Sequence, residues 1–336
     1  MGSKSRYDID RDALTTALET EPSYRVDQVW KGLYQGLEPA EMTNIPKLLR
    51  ERLESELVPS LTLAHESQSD NGDTIKWLWR LHDGALIETV LMHYDKRSTV
   101  CISSQAGCAM ACGFCATGQA GFDRNLTTGE IVEQVIAAIR HSGDKRVSNV
   151  VFMGMGEPMA NYQHVWEAVK RLQQDIGLSA RHITISTVGI VPGIRRLASE
   201  DLPVNLAVSL HAANDELRNK LVPPNRRYPL ADLTKACEEY LAAKGRRLSF
   251  EWALIDGVND RPSDARELAA LALKLRAHIN LIPLNPTPGY ATKGSPRLKV
   301  KEFCDQLIAL GANATIRQNR GTKIDAACGQ LRAQHR

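Results

Sequence analysis

The sequence predicts an α/β fold: a partial (β/α)6 barrel of the TIM type, with a small N-terminal helical domain and a short β meander ahead of it. Three observations predict it. From residue 99 onward, short β-branched runs alternate with amphipathic helical runs, the pattern of parallel strands joined by crossover helices. No G-x-G-x-x-G loop follows the first of these strands, which disfavours a doubly wound sheet. The carboxyl ends of the runs carry the uncommon polar residues, and in a barrel that is the end where ligands sit.

The elements follow in chain order. Residues 10 to 55 show helical spacing, with Val26, Val29, Trp30 and Leu33 on one face and a break at Pro39, so residues 1–58 are read as a helical accessory domain. The alternating runs LTLAHE, TIKWLWRLH and ALIETVLMHY are separated by SQSDNGD and by Asp83-Gly84, a strong hairpin signal. They make residues 59–94 an antiparallel β extension, in which Trp77, Trp79 and Tyr94 are read as packing residues rather than base-stacking ones.

The barrel core is expected over residues 95–320. Its strand candidates are TVCISS, NVVFMG, HITISTVG, VNLAVSLH, LSFEWALI and INLIPLN, with ATIRQN as a weaker seventh. Thr127 and Glu130 form a capping box before the helical run EIVEQVIAAIRH, and SDARELAALALKLRAH is a second clear crossover helix. Residues 321–336 form a C-terminal segment.

Composition narrows the class. The chain has 336 residues, 43% of them hydrophobic, enough for one large core with an accessory unit. The amino terminus MGSKSRYDIDRD is charged where a secretory signal would be apolar, and no apolar run approaches the roughly 18 residues of a membrane span, so a cytoplasmic protein is expected. Arg6 stands where a myristoylation pattern needs Ser or Thr. The formal net charge is only +3, but basic residues gather late, among them Arg218, Lys220, Arg226 and Arg227, then Lys244, Arg246 and Arg247. Further groups are Lys293, Arg297, Lys299 and Lys301, then Arg317, Arg320 and Lys323. They are read either as a phosphate-facing surface or as scattered solvated charges.

Seven cysteines in a reducing compartment point to ligands or reagents rather than a disulfide framework. Four lie in CISSQAGCAMACGFC, residues 101 to 115. Cys108, Cys112 and Cys115 have C-x3-C-x2-C spacing, and Gly107, Ala109, Ala111 and Gly113 let the backbone wrap closely. Three thiolates can hold three irons of a [4Fe-4S] cubane and leave the fourth open. A zinc site with a fourth ligand elsewhere, or uncoordinated thiols, are the alternatives. Cys237 and Cys304 fall in helical patterns and are read as packing residues. Polar residues converge at strand ends: Gly156 and Glu157, Ser186, the run Ser209-Leu210-His211, and Asn285. Glu88 shares a strand face with Leu86, Val90 and Met92, where burial would raise its pKa toward that of a proton acceptor; an edge-strand charge facing water is the other reading.

With the C-x3-C-x-aromatic-C motif followed by a barrel pattern and a Gly-Glu pair, the sequence resembles the radical S-adenosylmethionine superfamily. More closely, over roughly residues 85 to 331, it resembles the RlmN/Cfr family of RNA adenosine methyltransferases. The resemblance implies that Cys108, Cys112 and Cys115 hold the cluster and that Gly156, Glu157, Ser186, Ser209, Leu210, His211 and Asn285 contact S-adenosylmethionine. The run GTKIDAACGQL resembles the family's C-terminal signature and implies Cys328 as the cysteine that receives a methyl group, on a loop free to move between Gly321 and Gly329. Lys323 stands there where an acidic residue is the commoner choice.

Cys101 corresponds to the second family cysteine and Glu88 to a family acid. The implied chemistry consumes two S-adenosylmethionine molecules per turnover. One methylates Cys328; the other yields a 5'-deoxyadenosyl radical that takes hydrogen from the S-methyl group. The resulting radical adds to adenine, and attack by Cys101 on the sulfur of Cys328 releases the product through a transient disulfide. The expected reaction is methylation at carbon 2 of adenosine in 23S rRNA and in tRNA by a monomer fed by flavodoxin or ferredoxin, the helical domain docking RNA. The alternatives are carbon-8 methylation, as in the antibiotic-resistance members, and a zinc-stabilised RNA-binding protein without catalysis.

Overall fold

The computed structural model describes residues 4–284, 292–317, 321, 324, 325 and 331. Three helices lead the chain: α1 (Arg11–Ala17), whose N-cap Asp10 accepts from Ala13 N, α2 (Tyr24–Tyr34) and α3 (Lys47–Glu56). Val26, Val29, Trp30 and Leu33 are the buried stripe of α2, and a 3-10 turn at Pro39–Glu41 marks the break that the proline predicts. This unit is fastened to the rest at named points. Trp30 Nε1 donates to Asp175 Oδ1 at 2.8 Å, and Asp8 accepts from Gly129 N at 2.7 Å and from the Thr127 hydroxyl at 2.9 Å. Asp8 thereby places a carboxylate at the N-terminus of α4 (Thr128–Ser142), where the helix dipole favours negative charge. The Thr127–Glu130 capping box is present at the same end.

One ten-stranded sheet organises the fold. Its strands are β1 (Thr62–Ser69), β2 (Thr74–Arg80), β3 (Leu86–Tyr94), β4 (Arg97–Cys101), β5 (Val147–Phe152), β6 (Ile183–Thr187), β7 (Asn205–Ser209), β8 (Leu248–Leu254), β9 (His278–Pro283) and β10 (Asn313–Ile316). They lie side by side in chain order from β1 at one edge to β10 at the other. β1 to β4 pair antiparallel and β4 to β10 pair parallel, so β4 belongs to the meander on one side and to the barrel on the other. α4, α5 (Tyr162–Gln174), α6 (Val191–Ser199), α7 (Leu230–Lys244), α8 (Pro262–Leu275) and α9 (Arg297–Ala309) connect the seven parallel strands, giving six strand-helix units and a final strand. The weakest strand candidate, ATIRQN, is a strand over Asn313–Ile316; residues 318 and 319 lie outside the described residues.

The parallel strands alternate sharply between their two faces. Val150, Phe152, Ile183, Ile185, Leu206, Val208, Phe250, Trp252, Ile279 and Leu281 are buried against the helices. Each is worth ~2 kcal/mol on burial, and a one-residue slip would swap them for polar residues, so this face sets the register. The opposite face carries Thr184, Ser186, Asn205, Ser209, Ser249, Glu251 and Asn280. Parallel strands are usually apolar on both faces. Here Ser186, Ser209 and Glu251 of the inner face line a cavity.

Trp77 and Trp79 are buried, with indole N–H groups bonded to Glu66 and Thr89, which makes them packing residues. Cys237 and Cys304 are buried on α7 and α9. Three of the late basic residues are engaged within the protein, and Arg320 and Lys323 lie outside the described residues. Arg218 is fully buried, Lys220 pairs with Glu216 along a helix, and Lys299 pairs with Asp256 and Asp260.

Candidate active site

An open cavity occupies the carboxyl end of the parallel strands. Cys108, Cys112 and Cys115 line it from one side; Gly156, Glu157, Ser186, Ser209 and His211 line it from the strand ends. Of the residues singled out in the sequence, Leu210 stands behind the wall, fully buried, its N–H donating to Glu251 O. Cys101 and Glu88 lie outside the lining, on the meander side. Asn285, Lys323 and Cys328 lie outside the described residues.

The cysteine loop leaves β4 and is closed at its base, where Cys108 N donates to Gly121 O at 2.7 Å. Its tip is docked by the aromatic of the motif. The Phe114 ring meets the His211 ring edge-on at 4.6 Å and packs against the small apolar group of Ala253, Ile255 and Leu284. Phe114 therefore ties the thiols to the far wall of the barrel mouth, at the end of β7 and β8. Burial pushes the Cys108 thiol up to about 12, the Cys115 charge adding to the effect. Burial and both neighbouring thiols raise Cys112 as well. Two thiols that resist ionisation need a cation beside them to become thiolates.

Glu157 is held in place by main-chain donors. Its Oε1 accepts from Met159 N at 3.0 Å and its Oε2 from Val188 N at 2.8 Å, so it clamps the loops after β5 and β6 together. Burial outweighs these bonds and raises its pKa to about 7. Gly156 has φ +100°, and a Cβ there would lie 2.5 Å from the Gln105 Cβ, so only glycine lets this loop close on Gln105. Gln105 Oε1 accepts from Glu157 N at 2.8 Å. The hydroxyls of Ser186 and Ser209 approach to 3.4 Å across adjacent strand ends.

His211 takes a left-handed φ of +59°, turning its ring back into the mouth. Its Nδ1 accepts from Ala253 N at 3.0 Å, which leaves the proton on Nε2. Burial, reinforced by the Arg218 charge, pushes its pKa down to about 3, so the ring is a neutral donor at physiological pH.

Three residues that the sequence reading did not assign hold this architecture. Arg218 donates to Leu210 O at 3.0 Å, Val188 O at 2.6 Å and Ser209 O at 3.3 Å, binding the ends of β6 and β7 into one rim. Burial pulls it down to about 10, still charged near neutrality. Glu251 faces inward from β8, accepting from Asn280 Nδ2 at 2.7 Å with Arg317 at 3.6 Å; a charge inside the run LSFEWALI is the signal that marks it. Lys76, likewise a charge inside an apolar strand, pairs with Glu88 at 3.1 Å.

Glu88 is buried on β3, which is flanked by β2 and β4; it is not an edge-strand charge facing water. Val90 pairs with Lys76 on one side and Cys101 on the other, so Lys76, Glu88 and Cys101 share one face of the sheet. The described residues of the C-terminal segment reach both regions. Gly321 N donates to Asp70 Oδ2 at 3.0 Å and Lys76 Nζ to Asp325 O at 3.3 Å, while Leu331 lines the cavity and its carbonyl accepts from the Thr117 hydroxyl.

A six-unit parallel barrel with three loop thiols at its mouth defines the class, and residues 102–270 match the family model described as the Radical SAM superfamily. A crystal structure of a radical SAM methyltransferase from Sphaerobacter thermophilus superposes with a TM-score of 0.94 at 47% identity, covering 98% of this chain and 99% of that one. Two proteins named "Probable dual-specificity RNA methyltransferase RlmN" are similar over nearly their whole length. That of Salinispora tropica is 52% identical over 96% of this chain and 90% of its own, and that of Corynebacterium diphtheriae 49% identical over 100% and 95%. The chain belongs to the RlmN family of radical S-adenosylmethionine RNA methyltransferases.

Membership of the superfamily brings a [4Fe-4S] cluster and S-adenosylmethionine as cofactors. The donor set fits a cluster. Three thiols on one loop can each take a different iron of a cubane and leave the fourth iron open. No helix among the described residues is long and apolar enough to cross a membrane.

Proposed function

We propose that this chain methylates carbon 2 of adenosine in RNA, both 23S rRNA and tRNA. It acts in the cytoplasm, as a monomer supplied with electrons by a flavodoxin or ferredoxin. The observation that carries the reading is the placement of the three-cysteine loop across the barrel mouth, facing Glu157, Ser186, Ser209 and His211, in a chain similar to RlmN proteins from end to end.

Cys108, Cys112 and Cys115 would hold the cluster, with Gly156, Glu157, Ser186, Ser209 and His211 around S-adenosylmethionine; Leu210 and Asn285 remain assigned to the same ligand. When bound, this pair supplies a carbon-centred oxidant strong enough to take hydrogen from a methyl group. The protein's own part is sulfur and proton chemistry. Carbon 2 of adenine is electron-poor and does not attack a sulfonium methyl group directly, so Cys328 takes the methyl first and presents it to the base. Glu88 then accepts a proton from the ring of the protein–RNA adduct, and Cys101 attacks the sulfur of Cys328: the S–S bond forms, the sulfur–methylene bond breaks, and the methylene carbon leaves with the electron pair and takes up a proton to become the methyl group. Burial of Cys101 and Glu88 on one face of β3 and β4 supports this division of labour.

The test is anaerobic reconstitution followed by reaction with protein-free 23S rRNA and with tRNA, then digestion to nucleosides and mass spectrometry. 2-Methyladenosine is expected in both. 8-Methyladenosine in its place, or a preparation holding zinc and no iron or sulfide, would overturn the reading.

A further inference from the structure

Lys76 is the one lysine of the run TIKWLWR, and its side chain is 12% exposed. A buried lysine–carboxylate pair is a poor way to stabilise a sheet, since apolar residues of similar size would serve at least as well. Its position says more. Nζ lies 3.1 Å from Glu88 Oε1 and 3.3 Å from Asp325 O, so one ammonium bridges β3 and the C-terminal segment. Asp325 stands three positions before Cys328 in the chain. The Gly321 amide rests on Asp70, in the turn between β1 and β2 that leads to Lys76. Cys101 completes the transverse row Lys76–Val90–Cys101.

We propose that Lys76 is a positioning residue for the proton-removal step: it holds Glu88 as the carboxylate and ties that carboxylate to the segment bearing Cys328. This rests on the reading of Glu88 as proton acceptor and Cys328 as methyl carrier. In the step itself a C–H bond of the adduct's ring carbon breaks, its electron pair stays with the ring, and the proton goes to Glu88, which becomes a neutral acid. Lys76 takes no part in the proton transfer. Its ammonium lowers the cost of the ionised acid beforehand, and its bond to Asp325 O joins that acid to the C-terminal segment.

The experiment uses the reconstituted holoenzyme with 23S rRNA and measures methylated adenosine and covalent adduct, each per 5'-deoxyadenosine formed. Lys76→Met should lower product per 5'-deoxyadenosine at least about tenfold, less than the roughly 10²–10⁴-fold that a general base itself contributes, and raise adduct. Lys76→Arg should restore most of it. In a Glu88→Gln background, Lys76→Met should change the ratio little further, because both substitutions disable one device. Hydrogen exchange in the absence of RNA should be faster over residues 321–331 in Lys76→Met than in the parent protein.

Glu88→Gln that traps no adduct would defeat the underlying reading. Adduct trapped by Glu88→Gln but not by Lys76→Met would defeat this proposal alone. So would full additivity of the two substitutions, or unchanged exchange over the segment.

Discussion

The barrel mouth and the meander wall present their sulfur residues in different ways. At the mouth, Cys108, Cys112 and Cys115 come from one short loop, and the groups opposite them sit on loops whose geometry is set by side chains gripping main chain: Glu157 on two amides, Arg218 on three carbonyls, His211 on one amide. At the wall, Cys101, Glu88 and Lys76 come from three strands and meet only because of register, with Val90 between Lys76 and Cys101. The mouth is a set of loops fastened by side chains, while the wall is one face of the sheet on which strand register holds the groups proposed to react. The difference teaches that the steps assigned to each can be broken separately.

The largest effect separates them outright. Cys112→Ala removes one of the three proposed ligands from the mouth and is expected to abolish iron retention and 5'-deoxyadenosine formation together, read by iron analysis and chromatography. Cys101→Ala leaves the mouth intact and is expected to retain iron and accumulate protein–RNA adduct. Cys328→Ala should form no adduct at all. Adduct in the Cys328 variant, or iron lost in the Cys101 variant, would merge the two regions and break the comparison.

That contrast also explains what could be read in the sequence. The cysteine loop is visible because its three thiols are neighbours in the chain, and Ser186, Ser209 and His211 because they lie at the ends of successive strands of a regular pattern. The seven parallel strands were visible for the same reason: apolar alternation is a local property. Arg218 was not. Flanked by Asp215, Glu216 and Lys220 on a short helix, it looks like a surface base, and only the crossing of three carbonyls from two other loops makes it a buried one. The role of Lys76 was hidden similarly, since its partners Glu88 and Asp325 lie 12 and 249 positions away. The polar inner face was half-visible: a charge in LSFEWALI announces Glu251, but its engagement with Asn280 and Arg317 depends on register.

The next effect sharpens the idea that main-chain clamps build the mouth. Arg218→Met keeps bulk but removes the donor to the carbonyls of Val188 and Ser209, while Leu210 O keeps the Ala212 N–H at 2.8 Å. Each buried acceptor left unsatisfied costs ~1–3 kcal/mol, so a loss of roughly 2–5 kcal/mol is expected in chemical denaturation. S-adenosylmethionine affinity should fall with it, because the rim of β6 and β7 loosens. A loss below ~1 kcal/mol would mean that the clamp is incidental. Smaller again is Gly156→Ala. Its φ of +100° and the Cβ that would meet Gln105 at 2.5 Å should cost ~1–3 kcal/mol, absorbed by a shift of the loop toward the cavity. Calorimetry with S-adenosylmethionine should show about tenfold or more weaker binding, each tenfold being ~1.4 kcal/mol, while the meander wall is untouched.

The smallest effect concerns charge at the mouth and follows from the sign of one shift. His211 ordinarily titrates near 6.5, but burial and Arg218 hold it near 3 in the folded chain. Below pH 6.5 the unfolded chain therefore binds a proton that the folded chain refuses. The stability that His211 contributes is complete above pH 6.5 and drains as pH falls toward 3, at ~1.4 kcal/mol per pH unit. Asparagine at 211 tolerates a left-handed φ and carries an oxygen where Nδ1 accepts from Ala253 N, but it cannot take up the proton. Denaturation curves of His211→Asn between pH 7 and 5 should thus decline less steeply than the parent's, by about 2 kcal/mol at pH 5. Parallel curves would mean that the folded chain accepts a cation beside Arg218. The mouth would then be wetter than its buried neutral imidazole implies, and the contrast with the solidly paired wall would lose its electrostatic half.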